Sequence, residues 1–214
     1  MSYPPAPWDL HGQLWLSLFR VREGDHPDRE PGVYGAALVS YEQPSPLTYS
    51  ELLVARPVKR SGSRRVNIPG LSMAPRARVE ITDIWVDSVD SLEGGRALWA
   101  IPKHLCEFER TTTGGRVQRT SWSTTLDGVP IASARFTDIS RAAPRTPFKG
   151  ATCQQRAAGG GPGREVVAVL KGSARAFPAH GTWDFDASGP LAWLAGKRPL
   201  ASFRMTDFQL LFGA

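Results

Sequence analysis

The chain has 214 residues, 41% of them hydrophobic and 21% charged, with a net charge of +6 and an isoelectric point near 9.7. That composition supports one folded core and excludes a disordered chain. No run approaches the ~18 apolar residues of a membrane-spanning helix, and the opening MSYPPAPWDLHG has neither the basic nor the apolar region of a secretory signal, so a cytoplasmic protein that does not engage membranes is expected.

Taken in order, the chain reads as strand after strand. Gly12 to Arg22 alternates Leu14, Leu16 and Leu18 with Trp15, Ser17 and Phe19. Bulk on both faces predicts a strand covered on both sides. PGVYGAALVSYE and LTYSELLVARPVK follow, the latter placing Tyr49, Glu51 and Leu53 on one face, and RARVEITDIWVDS is a fourth strand. Ser88 to Leu98 is the best helix, with Ser88 as its cap. Gly94 and Gly95 weaken its interior and Pro102 cannot continue it. RVQRTSWSTTLDG and VPIASARFTDI flank Asp127-Gly128, a hairpin signal. RAAGGGPGRE, from Arg156 to Glu165, reads as a flexible surface connection. REVVAVLKGSARAF, AHGTWDFDAS and SFRMTDFQLLFG close the chain, with a turn or two of helix at Pro190 to Gly196. About nine short strands must hide their edges, which predicts a mainly β, single-domain (residues 1–214) antiparallel β-barrel or cone with one or two short helices.

The positive charge comes from 21 arginines and five lysines, scattered along the chain. The densest basic stretch, Lys59 to Arg65, reads as a loop, and no nucleic-acid-binding motif accompanies it, so a nucleic-acid partner is not expected. Cys106 and Cys153 stand apart without a CxxC, as free thiols, and Cys106 is simplest as a small buried hydrophobe. His11, His26 and His180 are dispersed. No spacing suggests a metal, no nucleophile elbow is present, and no cofactor is implied.

Lys103 stands out in GGRALWAIPKHLCEFE, residues 94–109. An amine attacks a carbonyl only when neutral, so a lysine that forms an imine must have its pKa lowered by burial or by a nearby positive charge. Trp99, Ile101, Pro102 and Leu105 can desolvate it, and His104 follows directly. The alternative is a surface lysine at a helix C-terminus. Glu51 is either a general acid/base on an inward strand face or an exposed strand glutamate. Arg96 reads as structural, capping the helix or pairing near Asp87 or Glu93. Trp15, Trp85, Trp99 and Trp122, with Tyr49, are candidate lining for an apolar substrate pocket, although most of the seven tryptophans are expected in the core.

The segment VDSVDSLEGGRALWAIPKHLCEFE resembles the signature of the acetoacetate decarboxylase superfamily, in which a Gly-Arg pair precedes a Pro-Lys carrying the Schiff-base lysine. Gly95-Arg96 and Pro102-Lys103 match those pairs, Asp87 fits the preceding WVDS, and LTYSELLVARPV resembles the family's tyrosine-x-glutamate strand. The resemblance implies a β-barrel or cone, Lys103 as the amine, Glu51 as the active-site glutamate and a carbonyl substrate, and homo-oligomers are known among such proteins. Two positions depart from the pattern. His104 stands where the decarboxylases have a second lysine, and Gly12 or Gln13 where they carry a carboxylate-binding arginine. Both departures point from acetoacetate toward a larger, mostly apolar carbonyl compound, with aldol–dehydration, decarboxylation or ring closure as its chemistry. A non-covalent cyclase and a lipocalin-like carrier remain alternatives.

Overall fold

The computed structural model describes residues 3–58, 77–139, 142–158 and 161–214. Lys59 to Arg65 lies outside them. The architecture is mainly β. Strands β1 (Trp8–Val21), β2 (Gly32–Glu42), β3 (Tyr49–Pro57) and β4 (Ala77–Val86) form a meander, then helix α1 (Val89–Trp99) leads into the two-residue β5 (His104–Leu105). A second meander follows: β6 (Glu107–Gly114), β7 (Gln118–Leu126) and β8 (Val129–Asp138). The chain ends with β9 (Arg145–Ala158), the long β10 (Gly161–Phe185), a 3-10 turn at Ala192–Leu194 and β11 (Ala201–Phe212).

β11-β1-β2-β3-β4-β9-β10 are paired in sequence, and β10 pairs back onto β11, so these seven strands close into a ring. Closure removes the exposed edges that so many strands would otherwise present. Six joints are antiparallel and the seventh, β4 to β9, is parallel, as is the β4–β5 pair. Past the ring, β10 runs on to pair with β8, so β10-β8-β7-β6 make a second sheet. The two segments of sequence that read as separate strands around Pro178 are therefore one strand shared by two sheets. The glycine-rich stretch expected as a loose connection is largely drawn into the β9–β10 pairing, with Arg164 opposite Arg156. Asp127 and Gly128 both have positive φ, 51° and 78°, as the two-residue hairpin between β7 and β8 requires.

Alternation along the strands separates two apolar clusters. Trp15, Phe19, Leu38, Leu52, Val54 and Trp85 point out of the ring and meet Trp122, Ile131 and Phe136 of the second sheet. Trp8, Leu10, Val39, Ile84, Ala168 and Phe208 face into the ring and meet Trp99 and Ile101 from the helix and the turn after it. Arg204, 1% exposed, donates to Gln118 at 2.7 Å and to Asp138 at 3.0 Å and lies over the Trp15 ring, fastening the second sheet to the first.

Candidate active site

The site begins with the helix. Ser88 caps it, accepting from the Ser91 backbone N–H at 3.2 Å. At the other end Ala100 adopts the left-handed conformation, φ 55°, and its N–H and that of Ile101 satisfy the Arg96 and Gly95 carbonyls. This reversal aims the chain back along the helix, and Arg96 Nε holds the Lys103 carbonyl at 2.8 Å. Arg96 thus fixes the backbone of the lysine. The two interior glycines have a packing reason. A Cβ on Gly94 would stand 2.6 Å from the Trp8 ring, and one on Gly95 would stand 2.8 Å from Cδ and Cε of Lys103. The lysine stem lies directly on the helix backbone.

The lysine whose amine it delivers is buried, Lys103 being 3% exposed. Nζ donates to Glu51 Oε2 at 2.9 Å, to Ser91 Oγ at 2.8 Å and to Tyr49 OH at 3.4 Å. An ammonium has three protons, and each has an acceptor. Nζ also lies 5.0 Å from the centre of the Tyr49 ring. Glu51, 4% exposed, takes a further hydrogen bond from Tyr41 OH at 3.1 Å, and the Tyr41 and Tyr49 rings lie tilted at 30° with centroids 4.3 Å apart. Tyr49 and Glu51 share the inward face of β3 because they are two residues apart, and Tyr41 is directly opposite Tyr49 on β2.

Burial alone would lower the Lys103 pKa, but the Glu51 carboxylate and the Tyr49 oxygen outweigh it and hold the amine above the ordinary lysine value. The expectation that its surroundings would lower that pKa is therefore corrected: the resting group is an ammonium in a buried ion pair. Burial likewise raises the Tyr49 phenol, and burial with the Glu51 charge raises Tyr41 strongly, so both stay protonated. Burial also pushes the Cys106 thiol up to about 12.

Of the residues singled out in the sequence, Lys103, Glu51 and Tyr49 come together. His104 does not join them. It is exposed, paired in β5 against Trp85, with the two rings 6.4 Å apart. Trp15, Trp85 and Trp122 pack in the outer cluster, on the far side of the ring wall from Lys103. Trp99 is on the inner side but is enclosed by Trp8 and Phe212, with ring centroids 4.8 and 4.7 Å away. Gln13, expected with Gly12 at the position of the decarboxylases' carboxylate-binding arginine, donates its amide to Glu42. Sequence reasoning missed Ser91 and Tyr41 as partners. Ser91 was visible only as a polar residue in the first turn of the helix, three positions after its cap.

A cavity of about 420 Å³ opens in the seam of the ring, where β4 passes from β5 to β9. Ala100 and Pro102, the turn that carries Lys103, form part of its wall, with Ile81, Thr82 and Gln154, but Lys103, Glu51 and Tyr49 do not line it. Outside, Arg29 and Arg56 line it. The first is clamped by Asp83 at 2.7 and 2.9 Å, and the second is paired with Glu80 and Glu30. No cluster of metal-ligating side chains occurs among the described residues.

No family model and no curated protein matches the sequence. Solved structures do match. The enduracididine biosynthesis enzyme MppR, in a complex with the condensation product of pyruvate and imidazole 4-carboxaldehyde, superposes with a TM-score of 0.66 at 15% identity, over 100% of this chain and 89% of that one. The chain has the acetoacetate decarboxylase-like fold. Acetoacetate decarboxylase from Legionella pneumophila gives a TM-score of 0.65 at 14% identity over 99% and 87% of the two chains. An acetoacetate decarboxylase-like enzyme from Sphingomonas wittichii gives 0.63 at 11% over 100% and 93%. At these identities the likeness concerns the fold, and the acetoacetate decarboxylase-like fold is the one the strand count and the Pro102-Lys103 segment anticipated.

Proposed function

We propose that this chain is an enzyme of the acetoacetate decarboxylase-like kind, acting on a larger, mostly apolar carbonyl compound of the polyketide or β-keto type in secondary metabolism. The observation that carries the reading is the Lys103–Glu51 pair, buried in the ring at 2.9 Å. The balance of the first step follows from that pair. Glu51 takes a proton from the Lys103 ammonium, and the neutral amine adds to the substrate carbonyl to give a carbinolamine. Glu51 returns the proton to the departing hydroxyl, releasing water and leaving an iminium beside a carboxylate. The iminium withdraws electrons from the adjacent carbon, which suits loss of CO₂ from a β-keto acid, an aldol–dehydration or a ring closure. Apolar character is supported by the inner wall of the ring, where Leu14, Leu16, Leu18, Leu53, Phe203 and Met205 are only half-buried. MppR, whose structure holds the condensation product of pyruvate and imidazole 4-carboxaldehyde, is a precedent for a carbonyl-derived ligand bound by this fold.

A second reading has its own support. The three satisfied protons and the raised pKa of Lys103 suit an ammonium that donates a hydrogen bond to a substrate carbonyl without bonding to it, as a cyclase that folds its substrate by shape would use. Reduction with borohydride in the presence of nonan-2-one separates the two. An adduct mass on the peptide containing Lys103, absent in Lys103→Ala, establishes the imine. Turnover that persists in Lys103→Ala with no adduct in the parent protein eliminates it.

A further inference from the structure

Strand register orders the inward side chains of β1, β2, β3 and β11 into rungs. Glu51 is paired with Val39, Val39 with Leu14, and Leu14 with Met205. On one side of this rung stand Tyr49, Tyr41 and Phe208, with the buried Trp8 and Trp99 beyond them, so aromatic rings fill that end of the ring. The other side differs. The next rung is Leu53, Ala37, Leu16 and Phe203, and the one after it is Ala55, Gly35, Leu18 and Ala201. All of these except Ala37 are only half-buried, as are Leu14 and Met205 on the rung of Glu51 itself. An interior packed to core density buries its leucines fully. Unfilled apolar space therefore runs along this face from the level of Glu51 to Gly35. A Cβ on Gly35 would meet only Leu16 Cδ1, at 3.0 Å, and Leu18 Cδ2, at 3.7 Å, before the Ala55 carbonyl at 4.0 Å. The missing side chain is room beside two leucines.

We propose that this face is a channel for an unbranched aliphatic tail of the substrate, with Gly35 as its specificity-determining residue. The inference rests on the reading of Lys103 as the carbonyl-binding group, and it defines the ligand more narrowly. The carbonyl is received at the Glu51 rung. The tail runs away from the helix, past Leu53 and Leu16, and ends beside Gly35. Successive rungs are two residues apart, so the path from Glu51 to Gly35 is about 13 Å long. A zigzag chain with bonds of ~1.5 Å needs roughly ten carbons to cover it. Width narrows the choice further. Barrels of about eight strands leave an interior that holds side chains or one small ligand, and this ring has seven strands. A single straight tail fits such a bore, and a fused-ring skeleton does not.

The test is calorimetric titration of the full chain with straight-chain alkan-2-ones from pentan-2-one to tridecan-2-one. Affinity is expected to rise about 3- to 4-fold with each added methylene and to level off once the tail exceeds roughly ten carbons. Gly35→Leu displaces only the movable end of Leu16 and fills the last rung. It should cut the ratio of undecan-2-one to pentan-2-one affinity at least ~10-fold. Ala55→Leu, which enters the same rung from β3, should act in the same way. A parent protein whose affinity is flat with tail length, or a ratio preserved in both variants, overturns the proposal. Should none of the ketones give a borohydride adduct, the imine at Lys103 is refuted, and the matching alkan-2-ols, which cannot form an imine, decide the channel. A rise with tail length in the alcohols that either variant abolishes supports it, and alcohols without that rise overturn it.

Discussion

The buried pair of Lys103 and Glu51 makes a quantitative demand on stability. Their side chains are 4% and 5% exposed and their charged atoms 2.9 Å apart, so solvent screens them little. Removing one partner strands a charge in the ring, at a cost of ~3–5 kcal/mol. Glu51→Leu and Lys103→Met alone should therefore each lower the melting temperature by roughly 6–20 °C for a chain of this length. The double variant places two apolar side chains of similar volume against the inner cluster and should recover to within ~1 kcal/mol of the parent. The coupling in this cycle is thus several kcal/mol, against the ~0.2–1 kcal/mol of an exposed pair. Its pH dependence has a definite sign. The Lys103 pKa is raised on folding, so its contribution is complete below the unfolded lysine value of ~10.4 and fades only as pH rises through the higher folded value. Denaturant titrations of the four proteins between pH 6 and 11 measure this. Single variants that cost less than ~1 kcal/mol, or a coupling that falls between pH 6 and 9, would refute the buried ion pair.

Three further outcomes follow from the same geometry. Glu51→Gln removes the largest influence raising the Lys103 pKa and leaves burial, which lowers it, so the pH profile of borohydride trapping should move to lower pH; a shift to higher pH contradicts the assigned balance. Gly95→Ala puts a methyl 2.8 Å from the lysine stem and should cut trapping at least ~10-fold. Its melting temperature should fall less than that of Glu51→Leu, because alanine is worth ~1 kcal/mol over glycine in a helix; equal trapping in parent and variant would show that the stem is not held there. Cys106, buried and with its thiol pushed up to about 12, should resist a thiol-reactive dye at pH 8 in the folded protein and react fully in denaturant; rapid native labelling confined to Cys106 would disprove that burial.

Much of the architecture was legible because it rests on local rules. Alternation at Leu14 to Phe19 announced a strand covered on both faces, Asp127-Gly128 announced its hairpin, and Ser88 with Pro102 bracketed the helix closely. What was not legible is what depends on distant partners. β6 and β9 were overlooked because Glu107 to Gly114 is mostly exposed and polar, and because residues from Arg145 onward carry no clean alternation. The parallel joint between β4 and β9 leaves no local trace at all. For the site, the Pro102-Lys103 segment and the spacing of Tyr49 and Glu51 were enough to single out three residues that meet. Tyr41 and Ser91 were not found, since their roles come from pairing across β2–β3 and from the helix turning one face toward Nζ. The tryptophans misled for the same reason: bulk on a strand does not say which side of the ring wall it fills.

The sign of the lysine's perturbation bears on how this site works. A neighbouring cation lowers an amine's pKa from the outset, as a second lysine beside the first would. Here the next residue is the exposed His104, turned to Trp85 rather than to the amine, and the strongest charge near Nζ is negative. The amine is thus stored as an ammonium with every proton engaged, and stays unreactive until something replaces an acceptor. Under the proposed function, a carbonyl compound entering the ring would compete for those protons and further dry the site, which would strengthen the pull of Glu51 on the proton it is proposed to receive. Activation would then depend on occupancy: the amine would become reactive only once a carbonyl compound displaced one of its three acceptors.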